Sequence, residues 1–274
     1  MGLFLHTNVA SINAQRNFGN VQSKLQSSLE KLSSGYKLNR AADGAGSLLL
    51  ANQMSSQVRG FAVAEENIQQ GINMLNIADS ALTSVNDGLQ RLREVALAAS
   101  NGTVTDFTAY SAEAGKIISN VTNLANGTTY NSTKLLDGSA ANIIIQAGSG
   151  SLATDQVDIS AAFSDNKAAT LGLAQTTITN VTTAQTVLTQ VDAALATVAT
   201  NLATIGGAQN QLKDRLQYAQ IAKENFSASE AAVRNVDVAT ETANLTKLQI
   251  LQQASALALS QANQMPNIAL QLLR

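Results

Sequence analysis

Residues that commonly carry out catalysis or bind metal ions are sparse in this sequence of 274 residues. His6 is the only histidine, and neither cysteine nor paired carboxylates accompany it, so no metal ligand set and no acid, base and nucleophile come together. Gly44, Ala45 and Gly46 lie at a predicted helix start, where a phosphate group can bind. No lysine follows them as in a P-loop and no strand precedes them, which favours a helix cap. The sequence therefore predicts no enzyme, no metal site and no cofactor.

The composition instead indicates long packed helices. Hydrophobic residues make up 45% of the chain and aromatic residues 4%, and there is one proline. Because proline breaks helix interiors, its near absence permits long uninterrupted helices, and the few aromatic residues predict a thin core between them. The formal net charge is −2 and no basic stripe is visible, so nucleic acid is not an expected partner. With no cysteine, the chain is indifferent to the redox state of its compartment.

Both ends of the chain carry an apolar stripe at helical spacing, which is the pattern of a helix that buries one face. The N-terminal stripe, on a helix predicted over residues 7–33, comprises Leu5, Val9, Ile12, Phe18, Val21, Leu25, Leu29 and Leu32. The C-terminal stripe, on a helix predicted over residues 237–272, comprises Leu245, Leu248, Leu251, Ala254, Ala258, Ala262, Met265, Ala269 and Leu272. Pro266 is expected to kink or split this second helix.

The end of the chain invites a comparison with membrane helices, because residues 248–273 carry no charge. Many amide and hydroxyl side chains interrupt that stretch and would be costly in hydrocarbon, so we predict no membrane insertion. A membrane-active helical protein is retained as the alternative from another functional class. The first residues lack a basic region followed by an apolar core, so no cleavable signal peptide is predicted.

Between the end helices the sequence predicts three further helices, over residues 45–100, 106–126 and 179–235. The β-branched stretch 142–146 and the alternating stretch 156–159 flank a glycine turn and predict a β-hairpin.

Local signals also predict two helix caps and one irregular segment. Gly35 is the expected C-cap of the first helix, and Asp43 is a candidate N-cap for the second. Residues 161–173 are predicted to be irregular, exposed and variable.

The predicted fold class is mainly α, a long-helix bundle with a coiled-coil stalk made by the two terminal helices and a small β-hairpin region. The stalk is predicted from residues 1–44 and 237–274, its N-terminal and C-terminal halves. A helical wall domain is predicted from residues 45–138 and 179–236, and the hairpin with a short variable segment from residues 139–178. Each fully buried Leu or Ile contributes about 1.5–3 kcal/mol. A two-stranded seam rich in alanine is still marginal against chain entropy, so we expect neighbouring copies to complete the stalk.

Several motifs near both ends, in the same order, resemble those of bacterial flagellins. On the N-terminal side these are Asn8, Ser11, Ala14, Gln15, LEKLSSG at 29–35, ANQM at 51–54, QVRG at 57–60, GI at 71–72 and LQRLRE at 89–94. On the C-terminal side these are GAQN at 207–210, VATE at 238–241, QILQQA at 249–254, QANQ at 261–264 and LLR at 272–274.

The resemblance implies a structural subunit that polymerises into the flagellar filament for swimming motility, with the terminal helices as its inner core. It further implies export through the flagellar export apparatus without a cleaved signal, an extracellular location, and partners among the filament cap and hook-junction proteins. An export chaperone would bind residues 244–274 at the C-terminal helix. Residues 161–175 are too short for an outer domain, so an undecorated filament is expected. A hook–filament junction adaptor is the alternative, and seeded polymerisation would distinguish the two.

The resemblance also implies a surface that a vertebrate innate immune receptor binds in many flagellins. The matching positions are Arg91, Val95 and Glu113, with valine standing where a leucine is usual. The alternative is that Arg91 and Glu113 belong to a solvated helix face or pack between subunits.

Overall fold

The computed structural model describes residues 7–140, 142–174 and 176–272, with side chains described as far as residue 265. Five long helices dominate the chain: α1 Val9–Ser34, α2 Ala45–Ala99, α3 Thr108–Gly127, α4 Val181–Arg234 and α5 Val238–Leu272. The strands are β1 Thr129–Tyr130, β2 Thr133–Lys134, β3 Ile144–Gln146 and β4 Gln156–Asp158, and the short 3₁₀ turns are Ala41–Asp43, Ala153–Asp155 and Ser160–Ala162. The mainly α fold class with a small β region is confirmed.

The chain forms two compact units. The terminal unit contains the chain up to residue 56 and from residue 226 onward, and the central unit contains residues 57–225. The expected boundaries lay at the turns before residues 45 and 237, whereas the units divide inside α2 and α4. Both helices continue through the division because the helical spacing of their apolar residues is uninterrupted there.

In the terminal unit, α1 and α5 pack side by side and run antiparallel, because the start of α1 contacts the end of α5. Buried and half-buried positions recur at alternating intervals of three and four, which is the heptad pattern of a coiled coil. On α1 these positions are Ser11, Ala14, Phe18, Val21, Leu25, Ser28 and Leu32. On α5 they are Glu241, Leu245, Leu248, Gln252, Ser255, Leu259 and Ala262. We call these two sets together the seam.

The ends of α1 and α4 are joined by a short antiparallel bridge between Tyr36 and Asn235. The Lys37 amide donates to the Arg234 carbonyl at 2.8 Å, and the Arg234 guanidinium carbon lies 4.3 Å from the centre of the Tyr36 ring. Gly35 makes this turn possible because its φ of 75° is left-handed, as predicted for a C-cap.

Two sequence expectations about helix ends are wrong. The Asp43 carboxylate does not cap α2, because it accepts the backbone amides of Asn39 and Arg40 at 3.0 and 2.9 Å. Pro266 does not split α5, which continues to Leu272.

The core of the central unit is built on strict seven-residue repeats. The α2 positions in this core are Phe61, Ile68, Leu75, Leu82, Leu89 and Ala96, together with Ala64, Gly71, Ala78, Val85, Leu92 and Ala99, all buried. On α4 the buried repeat is Ala184, Val191, Val198, Ile205, Leu212 and Ala219. Such repeats give knobs-into-holes packing between long helices, with α3 adding Val121 and Ala125.

Two antiparallel hairpins accompany the helices. Strands β3 and β4 form the predicted one, with Ile144 opposite Asp158. Strands β1 and β2 form a second that sequence reasoning missed. Its turn, Asn131 and Ser132, has positive φ at both residues, which suits a two-residue hairpin loop.

The prediction that residues 161–173 are exposed is wrong. The segment is irregular, but Phe163, Leu171 and Leu173 are buried. The fully buried Asn166 anchors it, because its backbone amide donates to the Leu136 carbonyl and its side-chain oxygen accepts from Asn201 at 2.7 Å. Small polar residues concealed this core contribution at the level of the sequence.

Candidate assembly surface

The residues predicted for the stalk interface divide into two groups. Val21, Leu25 and Leu32 on α1 and Leu245 and Leu248 on α5 lie in the seam, where Leu248 is only 6% exposed. They pack the two helices of one chain together.

The second group lies outside the seam. Val9, Ile12, Leu29, Leu251, Ala258 and Met265 are exposed. Leu251 is 41% exposed although it is only three residues from the buried Leu248. A residue advances by 100° around a helix, so Leu251 lies at the edge of the seam and not within it. Of the remaining predicted residues, Leu5 and the side chain of Leu272 lie outside what the structure describes.

Two further exposed residues extend this apolar surface and were missed from the sequence. Ile250 is 62% exposed and Leu257 is 73% exposed, and both lie on the side of α5 opposite the seam. Together with Leu251, Ala254, Ala258 and Met265 they form what we call the free face of α5. A wheel drawn at 100° per residue with the seam fixed at Leu248 would have found both.

The two terminal helices differ in what they present outward. The exposed positions of α1 are mostly polar, including Asn13, Arg16, Asn20 and Lys24. The free face of α5 is apolar, and from residue 248 to the end of that helix no residue is charged. Exposed apolar surface without charge favours protein association, because no ionised group must lose its hydration.

Three polar contacts set the register of the seam. The Asn8 side-chain amide donates to the Ala262 carbonyl at 2.8 Å, and the Ser11 hydroxyl donates to the Asn263 side-chain oxygen at 2.5 Å. At the other end of the seam the Ser28 hydroxyl donates to the Glu241 carboxylate. Because these contacts join opposite ends of two long helices, they define which residues of α5 remain on its free face.

The predicted receptor positions lie in the central unit. Arg91 donates to Glu113 at 2.8 and 3.0 Å and to Glu94 at 2.9 Å. Hydrogen bonds to Glu113 and then Glu94 raise the pKa of Arg91 above its usual value. Val95 is 3% exposed, so it packs into the core and cannot contact a partner, whereas the nearby Leu97 is exposed. The exposed part of the predicted set is therefore the Arg91–Glu113 ion pair.

Within the described residues, no group of three or more histidine, cysteine or acidic side chains is arranged to hold a metal ion. None of the described helices combines the length and hydrophobicity that crossing a bilayer requires.

Comparison with known proteins matches both ends of the chain. The profile of the bacterial flagellin N-terminal helical region matches residues 5–141, and that of the bacterial flagellin C-terminal helical region matches residues 188–273. These ranges contain α1, α2, α3 and α5 and most of α4.

Two curated relatives match over almost the whole chain, and one solved structure matches part of it. A flagellin of Halalkalibacterium halodurans is 35% identical over 99% of this chain and 100% of its own. A flagellar filament 33 kDa core protein of Treponema phagedenis is 30% identical over 99% of this chain and 100% of its own. The crystal structure of Bacillus cereus flagellin is 26% identical, covers 56% of this chain and 88% of its own, and superposes with a TM-score of 0.49.

A full-length relative at this identity, together with matches to both terminal regions, defines the family. Flagellins are structural proteins that build the flagellar filament, the extracellular part of the flagellum. The chain belongs to the bacterial flagellin family and is a subunit of the flagellar filament.

Proposed function

We propose that the free face of α5 is the main surface through which this subunit polymerises into the filament. The observation that carries the proposal is the exposure of Ile250, Leu251 and Leu257 on the uncharged part of α5, from residue 248 onward, while the other side of that helix is already packed against α1. Covering a fully exposed leucine or isoleucine side chain contributes about 1.5–3 kcal/mol, so a few such residues per subunit can drive association.

The geometry favours an open polymer over a closed dimer. The free face is apolar while the exterior of α1 is polar, so the surfaces on the two sides of the helix pair differ. Different surfaces that meet head to tail generate rings or helical filaments, whereas a two-fold dimer needs one self-complementary patch.

The test is a pair of charge substitutions on one helix. Leu251→Asp places a carboxylate on the free face and is expected to abolish seeded filament growth, while the unfolding of the central unit stays unchanged. The matched control is Gln253→Asp, because Gln253 is exposed on the polar flank of α5 and receives the same charge. Electron microscopy and sedimentation after seeding give the readout. Normal filaments from Leu251→Asp would contradict the assigned surface.

We propose that the subunit leaves the cell through the flagellar export apparatus without a cleaved signal and grows under a filament cap. Until export, the apolar free face would aggregate unless it is covered, so a chaperone binding residues 244–274 fits this segment. Removing residues 244–274 should abolish co-purification with that chaperone. Retained binding would place the chaperone site elsewhere. No observation favours the alternative role as a hook–filament junction adaptor.

We also propose that the Arg91–Glu113 pair forms part of a receptor-binding surface in a vertebrate host. Both side chains are substantially exposed, so they can contact a partner. Arg91→Ala should reduce the response of reporter cells, whereas Arg93→Ala, which breaks the ion pair with Asp192, serves as the control. Equal responses from both variants would leave Arg91 with only a role in packing or solvation.

A further inference from the structure

The chain contains two Asn-Gly dipeptides, Asn101-Gly102 and Asn126-Gly127, in different backbone settings. The first follows the end of α2 in a turn, where both residues are exposed. The second forms the last two residues of α3. Both glycines are exposed, whereas Asn101 is exposed and Asn126 is half-buried, so the two sites differ in backbone conformation and, to a lesser degree, in the exposure of the asparagine.

We propose that Asn101 is a site of spontaneous deamidation, through which the subunit acquires a negative charge as it ages. The Gly102 amide nitrogen attacks the side-chain carbonyl carbon of Asn101. A nitrogen–carbon bond forms, the bond to the side-chain amide nitrogen breaks, and that nitrogen leaves as ammonia with the proton of the Gly102 amide. The product is a five-membered succinimide. Addition of water to either carbonyl opens it to aspartate or isoaspartate, and no oxidant or reductant is consumed.

The turn brings the reacting groups together. The Thr103 amide donates to the side-chain oxygen of Asn101 at 3.3 Å, which folds that side chain over the Gly102 peptide and polarises the carbonyl under attack. The Val104 amide donates to the Asn101 backbone carbonyl at 3.0 Å and closes the turn. Glycine has no β-carbon to obstruct ring closure.

The helical site is protected by its hydrogen bonds. Inside α3 each backbone amide donates to a carbonyl one turn earlier, and the helical backbone directs the peptide nitrogen away from the preceding side chain. The amide of Thr128, the next residue, donates to the Leu124 carbonyl at 3.0 Å, which holds the last turn closed. Succinimide formation at Asn126 therefore requires local unwinding of the helix first.

The consequence concerns the end of α2. No basic residue lies in its last turn, so a carboxylate at position 101 meets the negative end of the helix dipole without a compensating cation. Each event adds one negative charge to a chain with a formal net charge of −2. Isoaspartate also inserts a methylene group into the backbone at the start of the turn. Accumulation of deamidated subunits in old filament segments rests on the filament role, whereas deamidation of Asn101 in the monomer does not.

The experiment uses the purified full chain, incubated as monomer in mildly alkaline and mildly acidic buffers made with oxygen-18 water. Peptide mapping by mass spectrometry follows the Asn101 and Asn126 peptides. We expect isoaspartate at Asn101, and it should form faster in alkaline buffer because the attacking amide must lose its proton. Conversion at Asn126 should be slower than at Asn101 by a factor of roughly ten or more, because helix opening must come first.

Two glycine variants provide matched controls. A β-carbon added at Gly102 or at Gly127 meets nothing within 4 Å, and neither has a positive φ, so Gly102→Ala and Gly127→Ala should both fold normally. Gly102→Ala should slow conversion at Asn101, and Gly127→Ala should leave it unchanged. Equal rates at the two asparagines, insensitivity to Gly102→Ala, or absence of isoaspartate would overturn the proposal. Because the readout is on monomer, failure of filament assembly would not affect it.

Discussion

At the scale of single residues, Asn166 anchors the irregular part of the central unit. It is fully buried, and it connects residues 163–173 to Leu136 through its backbone and to Asn201 on α4 through its side chain. Its side-chain amide also donates to the Ser164 carbonyl at 2.7 Å, so both ends of the amide group are satisfied. A satisfied buried amide fixes one conformation, because every alternative leaves polar atoms without partners.

Replacing Asn166 should therefore destabilise the central unit. Asn166→Ala leaves the Ser164 carbonyl and the Asn201 amide without this partner and is expected to cost about 1–3 kcal/mol in free energy of unfolding. Urea denaturation followed by circular dichroism measures the change. Asn123→Ala on the exposed side of α3 is the control and should cost less than about 0.5 kcal/mol. Equal losses from the two variants would contradict the anchoring role.

Asp237 makes the start of α5 sensitive to acid. Its carboxylate accepts the Thr240 hydroxyl at 2.8 Å and the Thr240 and Ala239 amides, and these bonds lower its pKa below the usual 3.8. Because the folded pKa lies below the unfolded one, the stabilisation is complete above about 3.8 and is lost as pH falls through the lower folded value.

The predicted loss of stability with falling pH can be tested with Asp237→Asn. Asparagine still caps a helix but carries no ionisable group, so the variant should lose less stability than the parent below about pH 4. Filament melting followed by circular dichroism across this range provides the comparison. Other carboxylates with lowered pKa values, such as Asp43 and Asp165, leave part of the acid sensitivity in both proteins. Identical acid profiles would mean that Asp237 contributes nothing.

At the scale of the element, the seam between α1 and α5 buries few apolar groups and therefore stabilises the helix pair only weakly. Half-buried Gln252 and Ser255 and the buried Ser28 occupy heptad positions that leucine fills in stable coiled coils. The fewer apolar groups the seam buries, the less it offsets the entropy of ordering two long helices. We therefore expect neighbouring subunits on the proposed free-face interface to supply the missing stabilisation.

Strengthening the seam should therefore order the monomer before assembly. Gln252→Leu adds apolar surface at a heptad position and is expected to stabilise the helix pair by about 1 kcal/mol, seen as a higher helix content of the monomer by circular dichroism. Gln253→Leu, one residue further and exposed on the polar flank, should give no such rise. A rise of equal size in both variants would mean that helix propensity, not seam packing, was limiting.

At the scale of the whole molecule, the two units should differ in stability until the filament forms. The central unit has long buried heptad repeats, whereas the terminal unit buries a mixed polar seam. In monomer, protease should spare the central unit, residues 57–225, and cut quickly in the terminal unit, because regions with few buried apolar contacts open most easily. In filament the same ends should be protected. Mass spectrometry of the fragments gives the boundaries, and a protected N-terminus in dilute monomer would contradict the expectation.

Much of the fold could be read from the sequence because its signals are local. Helical spacing placed all five helices, Gly35 marked the end of α1, and β-branched residues around a glycine turn gave the β3–β4 hairpin. The β1–β2 hairpin escaped notice because its turn, Asn131-Ser132, is a weaker signal than Asn-Gly. Burial of the 161–173 segment depended on partners far away in sequence, such as Asn201, which no local pattern reveals.

The sequence alone determined that the chain is mainly helical and that both ends carry apolar stripes, since composition and periodicity fix these properties. Only the tertiary structure decided which apolar residues of these stripes are buried within the chain and which stay exposed. Leu248 and Leu251 belong to one stripe by spacing, yet one is buried in the seam and the other is exposed. The reason is physical: a stripe wider than a heptad seam exceeds what one partner helix can cover, and only the packed register shows which edge is left uncovered.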